Sequence, residues 1–280
     1  MECSFNSNAV EIEVIKVNGS ESKIKNEQVV TERALTVYLN GQEFVTMVYS
    51  PGHEKELVTG FLALEGIIKR PDQLVKFSYD MQEGLAWADT AEKSVLGETL
   101  FLKRYMTSCC GKGRTSFYFA NDARLAQKID SPLQITSQDV SYYINLMEEK
   151  SELFRRTGGV HGGALASDGQ LQYFAFDIGR HNVLDKLYGQ AFLEGIDISR
   201  KIIVFSGRIS SEILIKTAKM GCPILIGVSA PTDLALDLAK ELGINTSEFI
   251  DLVRCPLSTE DYLARKKDRL ADALRILKRG

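Results

Sequence analysis

KIIVFSGRISSEILIKTAKMGCPILIGVS, residues 201–229, holds two apolar runs with a helical period between them. Ile202–Phe205 and Ile224–Ile226 have no polar face, the pattern of strands covered on both sides. The period between them, over about 209–220, ends at Gly221, a residue suited to the left-handed position after a helix. Strand, helix and strand in that order predict a parallel βαβ unit in a layered α/β domain. The rhythm extends both ways. YFAFDI (173–178) is another apolar run, and helical periods at about 182–194 and 232–242 stop at Gly195 and Gly243.

Toward the N-terminus the style changes. Residues 11–17 alternate as a strand, and the polar stretch that follows through Glu32 reads as a loop. ALTVYL and EFVTMVY flank Asn40-Gly41, the pair that supplies both positive-φ positions of a tight hairpin turn. His53–Ile68 has apolar residues three to four apart and predicts a helix. Residues 74–79 and 85–89 predict another strand pair. A connector, NDARLAQKIDSPLQITSQD, leads to a helix that Thr136 and Asp139 begin as a capping box and Gly158-Gly159 stops. The expected fold class is therefore α/β (α+β mixed), with a strand-rich N-terminal domain over 1–130 and a layered α/β domain over 131–280. A basic helix at about 258–279 is expected to present a solvated face.

The 280 residues carry 34 Lys and Arg against 37 Asp and Glu, a net charge of −3. That balance argues against coating nucleic acid or another polyanion. At 44% hydrophobic and 25% charged, the composition is that of a globular protein with a real core. No apolar run reaches the roughly 18 residues of a membrane span, and MECSFNSNAVEIEV lacks the features of a secretory signal. A cytoplasmic protein is expected. Its five cysteines are then thiols rather than structural disulfides.

Four segments could carry chemistry. TSCCGKGRTS (107–116) places Cys109 and Cys110 among Lys103, Arg104, Lys112 and Arg114, cations that favour the nucleophilic thiolate. A pair of buried small hydrophobes is the plainer alternative. Cys222 and Cys255, each before a proline, are expected to be buried, and Cys3 lies near the terminus. TGGVHGGALAS (157–167) sets His161 between two glycine pairs, where backbone can approach a ligand closely. FDIGRHNVLDKL (176–187) brings Asp177, Arg180 and His181 to a strand-to-helix junction, although Asp177 and Arg180 could simply pair with each other. FSGRISSE (205–212) offers Ser206, Gly207 and Arg208 at a second junction, and Thr232 begins the helix after a third; both suit an anion as well as ordinary capping. Neither a Walker A motif nor a GxGxxG after a strand occurs.

TGGVHGGAL, DIGRHNVLDKL and SGRISSEILIKTAKMGCPIL, in that order, resemble the signature segments of the formate dehydrogenase accessory sulfurtransferase family, the FdhD type, over about Val30 to Gly243. The resemblance implies a cytidine-deaminase-like C-terminal domain, a homodimer, and a sulfurtransferase with a cysteine persulfide intermediate. A cysteine desulfurase would be the donor. The acceptor would be the molybdenum cofactor, a bis(molybdopterin guanine dinucleotide) destined for formate dehydrogenase and bound as substrate, with no metal of the protein's own. That family commonly shows Cys-x-x-Cys. A gapless alignment puts Cys109 on the persulfide position and Lys112 on the second, leaving Cys110 as partner thiol or no partner at all. The family's C-terminal cofactor segment is weakly matched by FIDLVRCPLS (249–258), where Phe249 and Arg254 are candidates. Two rivals follow. A zinc deaminase would need His-x-Glu and Cys-x-x-Cys, but Gly163 occupies the Glu position and no Cys-x-x-Cys occurs. A non-catalytic molybdopterin-dinucleotide chaperone would bind cofactor with its cysteines structural.

Overall fold

The structure is a computed structural model that describes residues 8–18, 21–91, 104–106, 126 and 128–244. Cys109, Cys110, Phe249, Arg254 and the basic 258–279 segment lie outside the described residues. Two sheets dominate. The first has five strands in the order β5-β6-β3-β4-β7 and draws on β3 (Arg33–Leu39), β4 (Gln42–Tyr49), β5 (Leu74–Asp80), β6 (Leu85–Thr90) and β7 (Arg104–Met106). Asn40 and Gly41 take φ of 50° and 80°, as the β3–β4 turn requires. The helix α1 (Glu54–Leu64) covers one face of this sheet, burying Leu57, Val58, Phe61 and Leu62 against Leu35, Val37 and Met47.

The polar stretch before Glu32 is not a loop. Glu21–Val30 forms β2, which pairs over ten residues with β1 (Ala9–Asn18) as a separate two-stranded sheet. Its pattern is hard to read because both faces meet solvent: Ile15, Val17 and Ile24 on one face are 65–70% exposed, and Ile12 on the other is 41% exposed. A cross-strand ion pair, Lys16 with Glu27, adds to the ladder.

The second sheet has four strands, ordered β11-β10-β8-β9: β8 (His161–Ser167), β9 (Gln170–Asp177), β10 (Ile202–Arg208) and β11 (Ile224–Ser229). β10 and β11 are parallel and β8 opposes both β9 and β10. Both faces are covered. Ala164, Ala166, Val204 and Ile226 meet Val140, Ile144 and Met147 of α2 (Ser137–Lys150), which Thr136 and Asp139 cap reciprocally. A short α3 (Glu152–Thr157) ends at Gly158, whose φ of 64° is left-handed. On the opposite face Leu165, Ile203 and Phe205 meet α4 (Arg180–Glu194), α5 (Ser211–Met220) and α6 (Asp233–Leu242). Gly195, Gly221 and Gly243 terminate these three helices with positive φ.

The halves meet through α1 and α4. A Cβ on Gly60 would stand 1.8 Å from the Asp185 carbonyl oxygen, and one on Gly189 would stand 1.8 Å from that of Glu56. The helix backbones therefore touch, which only glycine permits at those two points. Among the described residues no helix is long and apolar enough to cross a membrane.

Candidate functional site at the mouth of the C-terminal sheet

β8 runs against its neighbours, so its start lies at the same sheet edge as the ends of β9, β10 and β11. His161 is opposite Asp177, and Arg208 is opposite Ser229. Three segments far apart in sequence thus bring His161, Asp177, Arg180, His181, Ser206, Gly207 and Arg208 together, with Thr232 just beyond β11. Such edges, outside the carboxyl ends of parallel strands, are where α/β sheets receive ligands.

His161 is half-buried and stacks on Phe205, with ring centroids 6.4 Å apart. Gly207 leaves room for it: a Cβ there would strike the Phe205 ring at 2.7 Å and approach His161 Nδ1 to 3.5 Å. Burial and the Arg180 charge hold the imidazole below its usual pKa, against the opposing pull of Asp177. Ser206 does not cap a helix. Its Oγ accepts from Gly162 N at 2.9 Å, extending the β8–β10 seam where the ladder stops at Phe205 and Gly163. The cap of α5 is Ser210, whose hydroxyl accepts from Ile213 N. Thr232 caps α6 by accepting from Ala235 N at 3.3 Å, and its own N–H donates to Ile209 O at 3.0 Å, tying the two junctions together. Arg208 is exposed at the rim.

Asp177 is differently placed from the expectation that it contacts cofactor or pairs with Arg180. It is 0% exposed, and both carboxylate oxygens are engaged inside the protein. Oδ1 accepts from Gly179 N at 2.7 Å and Asn182 Nδ2 at 2.9 Å; Oδ2 accepts from Ser50 N at 3.1 Å and pairs with Lys186 Nζ at 2.8 Å. Lys186 also donates to Ser50 O at 2.8 Å and Phe176 O at 3.1 Å, which accounts for all three ammonium hydrogens. Asn182 reaches Val48 O at 2.9 Å, and Ile178 N donates to Ser50 Oγ at 3.1 Å. This clasp fixes the end of β4 to the turn that presents Arg180 and His181, so Asp177 acts by positioning.

His181 Nε2 lies 3.2 Å from Glu212 Oε2 and 3.4 Å from Arg180 Nε. Burial pushes its pKa down to about 4; the Glu212 hydrogen bond opposes this and Lys216 and Arg180 reinforce it. A base whose folded pKa is depressed stabilises the fold fully above its unfolded value, near 6.5, and loses that contribution as pH falls toward about 4. Between pH 7 and 4.5, wild type should lose on the order of 2 kcal/mol more than His181→Gln, an expectation that allows for partial exposure. Urea unfolding at the two pH values measures this, and parallel losses would contradict it. Asp185, four residues after His181 on α4, pairs with Lys216 of α5 at 2.5 Å.

Cys222 is fully buried, donates to Lys201 O at 3.2 Å, and has its thiol pushed up to about 12 by burial. It is a packing residue. Among the described residues no group of three or more His, Cys, Asp or Glu side chains could hold a metal.

A profile of the FdhD/NarQ family matches residues 30–255. The chain belongs to the FdhD/NarQ family. It is 46% identical over 226 residues to the sulfur carrier protein FdhD of Bacillus pumilus, a match that covers 81% of this chain and 86% of that one. With its counterpart from Bacillus subtilis it shares 45% over 232 residues, covering 83% and 88%. With that of Halalkalibacterium halodurans it shares 40% over 258 residues, covering 91% and 96%. A crystal structure described as a formate dehydrogenase accessory protein from Desulfotalea psychrophila superposes with a TM-score of 0.68, covering 85% of this chain and 90% of that one, at 22% identity. At that identity the likeness is one of fold. The three segments quoted above for their resemblance lie within the matched residues 30–255 and meet at the mouth.

Sequence reasoning missed Ser50, Asn182, Lys186 and Glu212. One signal existed: Lys186 sits between Leu184 and Leu187 in the helical period at about 182–194, and a lysine on an apolar helix face asks for an acceptor.

Proposed function

We propose that this FdhD/NarQ chain is a sulfur carrier that takes persulfide sulfur from a cysteine desulfurase and passes it to the molybdenum cofactor, held as substrate at the mouth. One observation carries the proposal. β7 runs parallel to β4 with Met106 opposite Met47, and the next residue, Val48, accepts from Asn182 at the start of α4. Cys109 follows Met106 by three residues, a span of at most about 10 Å of extended chain. Met106, the last described residue before both thiols, therefore stands beside the mouth.

In the loading step the Cys109 thiolate attacks the outer sulfur of the donor persulfide. A new S–S bond forms, the donor's S–S bond breaks, and the donor cysteine leaves as thiolate with the electron pair. The step transfers sulfane sulfur without net oxidation, and nearby cations raise the fraction of attacking thiolate. Cys110 is the adjacent partner thiol. At the mouth, Arg208 on the rim and the capped starts of α5 and α6 suit the phosphates of the guanine dinucleotide. His161, Arg180 and His181 line the space between, and Phe249 and Arg254 extend the cofactor contacts. The two-domain division at 130/131, a cytidine-deaminase-like C-terminal core, a cytoplasmic location, homodimer formation and service to formate dehydrogenase belong to the same proposal. The hairpin followed by a parallel βαβ unit supports that core.

The test incubates the protein with a cysteine desulfurase and sulfur-labelled cysteine and maps persulfide by mass spectrometry. Label is expected on Cys109, and Cys109→Ser should reduce sulfur delivery at least about 100-fold. A protein that binds the cofactor yet takes no label on Cys109 or Cys110 would be the non-catalytic chaperone instead.

A further inference from the structure

A cavity of about 300 Å³ lies behind the start of β8. Leu153, Phe154, Val160, Phe174 and Phe176 wall it, and the three phenyl rings are only half-buried, so apolar surface is left uncovered inside. The rim does not make an anion site. Arg156 is engaged by Glu152 at 3.5 Å and by Gln28 Oε1 at 2.5 Å, and Lys150 stands exposed in solvent. Walls of this kind offer water few partners, so the occupant they suit is apolar.

Asn8 lines the same cavity, and its carbonyl accepts from Thr31 N at 2.9 Å, which fixes the point where the segment MECSFNS joins the fold. Residues 1–7 lie outside the described residues. Phe5, the one aromatic residue among them, precedes Asn8 by three positions, a reach of at most about 10 Å. A tether that short presents its side chain at an effective concentration in about the millimolar range, ahead of any free ligand or second copy. An apolar cavity of about 150 Å³ already admits benzene, so this one takes a phenyl ring together with the chain that carries it. We propose that the Phe5 side chain docks in this cavity within its own chain, making residues 1–7 a strap across the back of β8. The ring packs against Phe174, whose ring would lie 3.4 Å from a Cβ on Gly162. Gly162 N in turn donates to Ser206 at the mouth, so the strap braces from behind the edge that carries His161. This contact goes beyond the sulfur-carrier proposal and involves neither thiol of the 107–116 segment.

The experiment places a diazirine-bearing phenylalanine at position 5 of the full chain, irradiates it, and maps the crosslinked peptides by mass spectrometry. Crosslinks are expected within one chain, to the peptides that hold Phe154 and Val160 or Phe174 and Phe176. Leu153→Trp, at a half-buried wall position, fills the cavity and should cut that yield at least fivefold, with folding checked by circular dichroism. A thermal cycle gives a second reading that needs no probe. Phe5→Ser should lower the melting temperature by about 2–5 °C, a modest shift because ordering the strap costs chain entropy. In the Leu153→Trp background the same change should cost less than about 1 °C, since the ring then has no place to dock. Covalent dimers in place of internal crosslinks would assign the cavity to a second copy and overturn docking within the chain. Crosslinks away from the walls, a yield indifferent to Leu153→Trp, or equal melting losses from Phe5→Ser in both backgrounds would overturn it as well.

Discussion

Gly189→Ala should melt about 6–12 °C below wild type, the consequence of losing about 3 kcal/mol in a chain of this size. Its Cβ would sit 1.8 Å from the Glu56 carbonyl oxygen, and that atom belongs to helix backbone that cannot rotate aside. The only relief is to part α1 from α4. Parting them also withdraws Phe192 from the N-terminal core and Leu64 from the C-terminal one. Thermal circular dichroism makes the comparison, with Gly60→Ala as the reciprocal variant. A fall of less than about 2 °C in both would mean that the helices separate at little cost, contrary to the packing described.

Lys186→Met should cost about 3–5 kcal/mol, the usual penalty for removing one partner of a buried ion pair. Lys186 is 2% exposed and its ammonium serves a carboxylate and two carbonyls at once, so methionine would leave three acceptors in a space closed to water. Arginine is not a conservative replacement, since a planar fork does not match three acceptors arranged around a point. Adding Asp177→Asn to Lys186→Met should recover part of the loss. The neutral side chain no longer buries a charge, and its oxygen still accepts from the backbone. Urea unfolding of the single and double variants tests this, and a double variant no more stable than Lys186→Met would show that the buried charge is not the cause.

The C-terminal architecture was legible because Ile202–Phe205 and Ile224–Ile226 have one reading, and Gly195, Gly221 and Gly243 mark helix ends without competition. β8 was hidden for the opposite reason. HGGALAS is small rather than apolar, since α2 and α4 press on it from both sides; a Cβ on Gly163 would stand 2.7 Å from Val183. Smallness there reads as loop. The glycines around His161 were rightly suspected of close approach, but most of that approach is by helices. β2 escaped because a hairpin wet on both faces imposes no burial pattern on its residues. That Arg180, His181, Ser206 and Arg208 lie at one sheet edge was legible from their strand-to-helix positions. The clasp was invisible because its partners sit some 130 positions apart: Ser50 meets Asp177 and Ile178, and Val48 meets Asn182.

Much of the clasp is written in backbone atoms. Asp177, Asn182 and Lys186 address the N–H of Ser50 and Gly179 and the carbonyls of Val48, Ser50 and Phe176, groups that every residue but proline supplies in full. Three side chains, together with the Ser50 hydroxyl, therefore join the two sheets beside the α1–α4 contact, and Val48 and Phe176, gripped only through their carbonyls, are left freer to change than Ser50, whose hydroxyl is used, or Gly179, where a Cβ would stand 2.8 Å from Asn182 Nδ2. A substitution at Val48 or Phe176 leaves the hydrogen bonds of this joint in place. Divergence at Val48 or Phe176 would then be poor evidence of altered architecture, whereas a change at Asp177 or Lys186 should appear only with a change at the other.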